Sequence, residues 1–442
     1  MYHKFFVCIV VISLVLCGGY CAYGKVYLDI DSPSFQKFPI AITDFKELKG
    51  NQDKENLSAW FSEALTKCLE ATGLFNVLGK RAFLESKNQG GLTAENLQFA
   101  NWKIIGAEYL VKGGFLLDGG DLVTEFRLYD VIKGELITGK RYTGKMERRR
   151  DMVFKFAGEI LLALTGSKGV FDTRIAFVLK KGKTSDIYTI GFDGSNLTRI
   201  TDYQSLTLSP RWSPDGRHLS FTSYRNGNPD MYLMNLADRM ARKVVSFRGL
   251  NLSGTWSPDG QKILLTLSKD GNEEIYVMDL RDGQFRRLTN NFAIDVSPAW
   301  SPDGRKIAFV SNRYGSPQIY LMDADGSNVK RLTYEGNYNT SPSWSPKGDR
   351  IAYEGMAGSG FQIFSVEGDG SNLLQLTSNA ANSESPSWSP DGRYIAFHAR
   401  KNGRFRICVM NADGSNMRVL YEGVDNCLGL SWSPKLTIFS AP

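Results

Sequence analysis

Proton-transfer and nucleophilic chemistry needs a Ser, Cys or Asp beside a base, and histidine is the usual base. The chain holds three histidines, His3, His218 and His398, and the last two fall at non-equivalent places in a repeated pattern. They read as strand residues rather than as a catalytic pair. No G-x-S-x-G turn occurs, so an attached serine hydrolase of the α/β type lacks its nucleophile elbow. Gly134-x4-Gly139-Lys140 has the spacing of a phosphate loop, but Arg141 stands where Ser or Thr would hold Mg²⁺. Asp323-Ala324-Asp325-Gly326 starts like a calcium loop, yet its glycine comes two residues early and Tyr334 replaces the bidentate Glu. The same D-G-S-N recurs at Asp193, Asp325, Asp369 and Asp413, as a hairpin turn would. Arg148-Arg149-Arg150 and a net charge of +7 could suit nucleic acid, but a basic helix start on a solvated face explains them. No catalytic residue, cofactor, metal or nucleic-acid partner is expected.

The dominant pattern belongs to the scaffold. W-S-P-D-G occurs at Trp212, Trp256, Trp300 and Trp388, W-S-P-K-G at Trp344 and W-S-P-K-L at Trp432, with successive tryptophans 44 residues apart. A period in this range means one supersecondary unit stacked on its own copies. Lys306 to Ser311 reads K-I-A-F-V-S and Ile319 to Met322 reads I-Y-L-M, with Asp-Gly and Pro turns between such runs. Short strands so bounded, with no helical period, give four-stranded antiparallel sheets, and their radial packing gives a β-propeller. Six strands match the Tyr188, Tyr232, Tyr276 and Tyr320 pattern, the last two altered at Phe364 and Cys408. A tryptophan strand is missing before Arg174-Ile175-Ala176, and a spare one, Leu428 to Trp432, sits at the far end. The spare strand should complete the first blade and close a six-bladed ring. The recurring tryptophans then pack between blades, where truncation costs about 3–5 kcal/mol.

Ahead of the ring, residues 25–165 read as a mixed α/β domain without repeats, and 166–172 as the linker to a propeller at 173–442. Leu57, Trp60, Phe61, Ala64, Leu65, Cys68 and Leu69 have helical spacing, and Gly73 stops the run. Thr93 is placed to cap a second helix carrying Leu97 and Trp102. Glu108 to Thr143 reads as a meander, and Asp151 to Leu164 as a last helix ending at Gly166. Residues 1–24 read as a secretory signal: His3 and Lys4, then an apolar run from Phe5 to Leu16 too short to span a bilayer, then Ala22-Tyr23-Gly24. Lipidation at Cys17 is the alternative, disfavoured by the bulky Leu16 before it. Export would leave Cys68, Cys408 and Cys427, an odd number. Cys68 reads as helix core, and a Cys408–Cys427 bond stays open.

A leader, an α/β domain with Trp102 before Gly106-Ala107-Glu108, and six such blades ending just after the last: this order resembles the TolB family over the whole mature chain. The tail Leu436 to Pro442 runs slightly past the family's usual end. The resemblance implies a non-catalytic periplasmic component of the Tol-Pal system, which supports outer-membrane integrity and constriction during cell division. It implies Pal as a partner of the propeller and TolA as a partner of the mature N-terminus, with outer-membrane proteins as further contacts and the chain a monomer. A catalytic propeller and a carrier of a small envelope ligand are the alternatives.

Strand alternation itself says which face should bind. The S-P-D-G and D-G-S-N turns share one face, and the loops where the repeats disagree share the other. Variable loops on a rigid scaffold suit recognition. The candidates there are Tyr203, Arg248, Leu250, Asn251, Asp295, Val296, Tyr338, Asn339 and Glu384. For the second partner the candidate is an arm of Lys25, Val26, Tyr27, Leu28, Asp29, Ile30 and Asp31. Its first six residues alternate as a strand does, and an extended segment can add to another protein's sheet edge.

Overall fold

A computed structural model describes residues 36–436 except Asn51, Lys54, 85–90 and 379–381. The leader, the arm Lys25 to Asp31 and the tail 437–442 lie outside the described residues.

In the N-terminal unit, helix α1 (Leu57–Ala71) buries Leu57, Phe61, Leu65, Cys68 and Leu69, the face its spacing marks out. Its start is held by Asp53, whose carboxylate accepts the Leu57 and Ser58 N–H groups at 2.8 Å each. The sheet runs in the order Phe75–Val77, Phe38–Ile42, Tyr109–Asp118, Asp121–Asp130, Glu135–Gly144. Its first two pairings are parallel, and the expected meander supplies the antiparallel ones. The helix expected after Thr93 is broken in two, a 3₁₀ turn Ala94–Asn96 and then α2 (Phe99–Ile104). Leu97 between them is extended, which lets both Leu97 and Trp102 reach a core with Ala41, Leu110 and Tyr129. Helix α3 (Arg149–Thr165) ends at Gly166, whose φ of 80° supplies the left-handed cap.

The ring has six four-stranded sheets. In the first, Asn426–Trp432 pairs with Arg174–Lys181, with Cys427 opposite Leu179 and Trp432 opposite Ile175. The C-terminal strand therefore closes the ring, as the count of strands predicted. Apolar layers lie between blades rather than within them. Leu264, Ile275 and Val277 of blade 3 meet Ile307, Phe309 and Tyr320 of blade 4, and Ala308 and Val310 meet Ile351 and Tyr353 of blade 5. The tryptophans join these layers and tie blades by hydrogen bonds. Trp212 Nε1 donates to Ser431 O, and Trp388 Nε1 to Ser343 O, both at 3.1 Å. At the first blade, Trp432 Nε1 instead donates to Thr173 Oγ1, just before the paired strand, at 2.8 Å. Trp300 Nε1 and Trp344 Nε1 are buried without a partner among the described residues.

The layer between blades 6 and 1 is continuous with the core of the α/β unit: Tyr394, Ile407, Phe177 and Trp432 belong to the same cluster as Phe61 and Phe156. Polar contacts reinforce it at the end of α1. Arg418 Nε donates to Ala71 O, and the Tyr394 hydroxyl to Thr72 O, both at 3.0 Å. A helix C-terminus leaves such carbonyls unpaired, and a cation there also suits the helix dipole. Arg150 pairs with Asp193 at 2.7 Å across the same junction. The α/β unit thus sits against turns of the propeller at blades 6 and 1.

The three described cysteines are free and buried. The open Cys408–Cys427 link is not formed, because Cys408 faces blade 5 while Cys427 belongs to the layer between blades 6 and 1. Burial pushes both thiols up to about 12, which makes them inert core residues.

Candidate partner-binding surface

Each S-P-D-G turn is a closed hydrogen-bond unit. The Ser213 hydroxyl donates to Asp215 at 2.5 Å and accepts the His218 N–H at 2.9 Å. Ser257–Asp259 and Ser301–Asp303 repeat it at 2.5 and 2.6 Å. The serine hydroxyl is the leading cause that holds Asp259 and Asp303 below the usual carboxylate range. The D-G-S-N turns on the same side close in a similar way, with Asp193, Asp325 and Asp413 each accepting from the Ser two residues on, and Asp193 in addition holding Arg150. No calcium geometry is needed to explain those aspartates. This face is built for regularity.

The opposite face is irregular, and it sorts the sequence candidates into two groups. Asn251, Asp295 and Asn339, which open the tryptophan strands of blades 3, 4 and 5, are buried. Asn251 Nδ2 donates to Phe247 O at 2.8 Å and its Oδ1 accepts the Phe247 N–H at 2.9 Å. Asn339 Nδ2 donates to Gln318 Oε1 and Glu335 O, both at 2.8 Å. Asp295 is fully enclosed and takes a guanidinium nitrogen of Arg313 on both its oxygens, at 2.9 and 3.2 Å. Burial pushes its carboxyl above the ordinary range in spite of that partner. These three hold the loops in shape, and their side chains present nothing to a partner.

The other candidates reach the surface. Arg248 is exposed, and Leu250, Val296 and Tyr203 are half-buried. Tyr203 lies under the Arg225 guanidinium at 4.5 Å from its ring centre. Glu384 is half-buried near Glu354, and burial first, then that like charge, raises its carboxyl. Tyr338 is 40% exposed and meets Phe361 edge-on with centroids 5.6 Å apart.

Sequence reasoning pointed to the variable loop that holds Phe292 but missed Tyr314 and Tyr334. Phe292 is 88%, Tyr314 76% and Tyr334 71% exposed, and Ile294 in the Phe292 loop and Met356 near the end of the strand Arg350–Ala357 are exposed as well. Together with Tyr338 they make an aromatic sector over blades 3 to 5. An aromatic between turn residues was the available signal, but exposure is not visible in a sequence. Also unforeseen was a cation in the loops of three blades: Arg225, Lys269 and Arg313 sit 3.9, 5.0 and 5.0 Å from the ring centres of Tyr232, Tyr276 and Tyr320.

Comparison with known proteins places this architecture. Residues 26–137 match the model of the TolB amino-terminal domain, and residues 162–436 that of the TolB beta propeller domain. The chain belongs to the TolB family.

Among TolB relatives, the Tol-Pal system protein TolB of Syntrophus aciditrophicus is 57% identical over 211 residues, 47% of either chain. That of Desulfosudis oleivorans is 40% identical over 222 residues, 50% of this chain and 51% of the relative. The chain spans about half the length of the curated relatives it matches. The crystal structure of TolB from Acinetobacter baumannii superposes with a TM-score of 0.78 at 29% identity, covering 90% of this chain and 97% of that one. The α/β domain followed by a six-bladed propeller is thus the TolB architecture.

The two described histidines are packed into the blades. His218 stacks on Trp256 with centroids 6.5 Å apart, and His398 is buried, with burial lowering its imidazole to about 4. Among the described residues, no group of three or more His, Cys, Asp or Glu could hold a metal ion.

Proposed function

We propose that the chain is a non-catalytic, periplasmic protein–protein interaction component of the Tol-Pal system. It binds Pal through the loop face of the propeller and TolA through the mature N-terminus, supporting outer-membrane integrity and constriction during division. The observation that carries the first half is the aromatic sector of Phe292, Tyr314, Tyr334 and Tyr338. Exposed aromatic side chains on rigid loops supply large contact area at low entropic cost, and interfaces concentrate their energy in such residues. Membership of the TolB family supports the assignment to the Tol-Pal system. Replacing Phe292, Tyr334 and Tyr338 together by Ala should weaken binding to the soluble domain of Pal by about tenfold or more without lowering Tm. Calorimetric titration showing unchanged affinity would move the site elsewhere. For the second half, deleting 25–33 should abolish TolA capture and leave Pal affinity intact; undiminished capture would end the arm assignment.

A further inference from the structure

Blades 2, 3 and 4 repeat one arrangement where a loop of the irregular face meets the following strand. A cation lies over a strand tyrosine, Arg225 over Tyr232, Lys269 over Tyr276 and Arg313 over Tyr320, each copy 44 residues after the last. In two of the three, the residue after the cation serves the tyrosine hydroxyl. Asn226 Nδ2 donates to the Tyr232 hydroxyl at 3.0 Å. The Tyr276 hydroxyl donates to Asp270 Oδ2 at 2.5 Å, and Lys269 Nζ reaches the same oxygen at 2.7 Å. Blade 3 therefore holds a carboxylate of its own between a phenol and a cation.

Blade 4 keeps the cation and the phenol but not the group that joins them. The residue in the place of Asn226 and Asp270 is Tyr314, which projects outward. Tyr320 is 2% exposed, and its hydroxyl is buried with no hydrogen-bond partner among the described residues. An unpaired buried hydroxyl destabilises the fold, and the other two blades avoid that cost. Positive charge also stands nearby. Asp295 answers Arg313, but Arg331 uses only Nε, on the Thr333 carbonyl at 2.6 Å, and has no carboxylate within ion-pair distance among the described residues. Burial raises the Tyr320 phenol, while Arg331 and then Arg313 lower it, so both charges are felt at that oxygen. The phenols of Tyr314 and Tyr334 act on it as well, which puts it beneath the aromatic sector.

We propose that the protein bound at the aromatic sector inserts an Asp or Glu side chain between Tyr314 and Tyr334, where its carboxylate accepts the Tyr320 hydroxyl and faces Arg331. This rests on the reading of the loop face as the partner-binding surface and names the group the partner brings to it. Asp270 in blade 3 is the internal template, and a phenol–carboxylate bond beside a guanidinium is of the strong, charge-assisted kind. Tyr314 is exposed enough to turn aside on a fast timescale as the side chain enters.

The probe is the soluble domain of Pal, titrated calorimetrically into the full chain and three variants. Tyr320→Phe keeps the ring and removes only the hydroxyl. It should weaken binding by about tenfold, as loss of a hydrogen bond to a charged group does, without lowering Tm. Full affinity in this variant, or a lowered Tm, would overturn the proposal, the latter because the hydroxyl would then have a partner in the free protein. Tyr314→Asn and Tyr314→Asp both delete the exposed ring, and both supply the hydroxyl with the partner that blades 2 and 3 use, so both should fold. The Asp variant places a negative charge where the partner's must go, and it should bind about tenfold more weakly than the Asn variant. Equal affinities would overturn the carboxylate assignment. A wild-type chain that does not bind Pal ends the reading of the loop face and this proposal with it, whereas wild-type binding that survives Tyr320→Phe ends this proposal alone.

Discussion

Acidification should destabilise this protein through a single buried histidine. His398 lies in blade 6 with 5% of its surface exposed, and burial lowers its imidazole from 6.5 to about 4. In the unfolded chain it takes a proton below 6.5, whereas in the folded ring it stays neutral until about 4. The unfolded state therefore binds more protons across this window, and stability falls as pH drops through it. A difference of this size is worth about 2–3 kcal/mol between pH 7.5 and 4.5. His398→Leu removes the titrating group with little change of volume, and Val178 and Val310 already fill the matching place in blades 1 and 4. Chemical denaturation at intervals across that range should show the wild type losing about 2–3 kcal/mol more than the variant. Carboxylates contribute to both proteins alike and cancel in the difference. Parallel curves for the two proteins would refute the reasoning, because the histidine would then be reaching protons without unfolding.

Ending the chain before Leu428 removes the strand paired with Arg174–Lys181 and opens two sheet edges, so soluble folded protein should be lost. A truncated chain with the wild-type Tm would exclude this closure. Asp295→Ala leaves Arg313 enclosed without its carboxylate and should cost about 3–5 kcal/mol, seen as a lower denaturation midpoint. Asn251→Ala should cost about 1–3 kcal/mol by stranding the Phe247 backbone groups, whereas Tyr334→Ala, at an exposed site, should leave the midpoint unchanged.

The ring was legible because its information is local and repeated. W-S-P-D-G fixes a turn by its own hydrogen bonds, and counting tryptophan strands sufficed to find the swapped one. The second helix was less legible, since Leu97 and Trp102 have a helical spacing that tertiary packing overrides. At the loop face the sequence singles out positions but cannot rank them by burial. Asn251, Asp295 and Asn339 vary between blades because each loop needs a different internal brace, and variation for bracing looks like variation for recognition. Phe292 and Tyr314 carry the opposite ambiguity. An aromatic in a loop can equally be an anchor, and only the fold shows that these project outward.

The arrangement of the two units constrains how their binding surfaces can influence each other. The aromatic sector lies over blades 3 to 5, while the α/β unit contacts blades 6 and 1 by way of a core shared with Phe61 and Trp432. Domain contacts within a chain are usually more polar than a domain core, and relative motion is then the default. Here the apolar layer is continuous, and Arg418 is enclosed between the Ala71 and Phe192 carbonyls at 3.0 and 2.7 Å. Sliding the units apart would strand that guanidinium, whose burial already lowers it to about 10. A partner on the loop face can shift the α/β unit only if it binds two arrangements of the blade 6–blade 1 layer with different affinity. A partner that leaves this layer unchanged, however tightly it binds, transmits nothing to that unit.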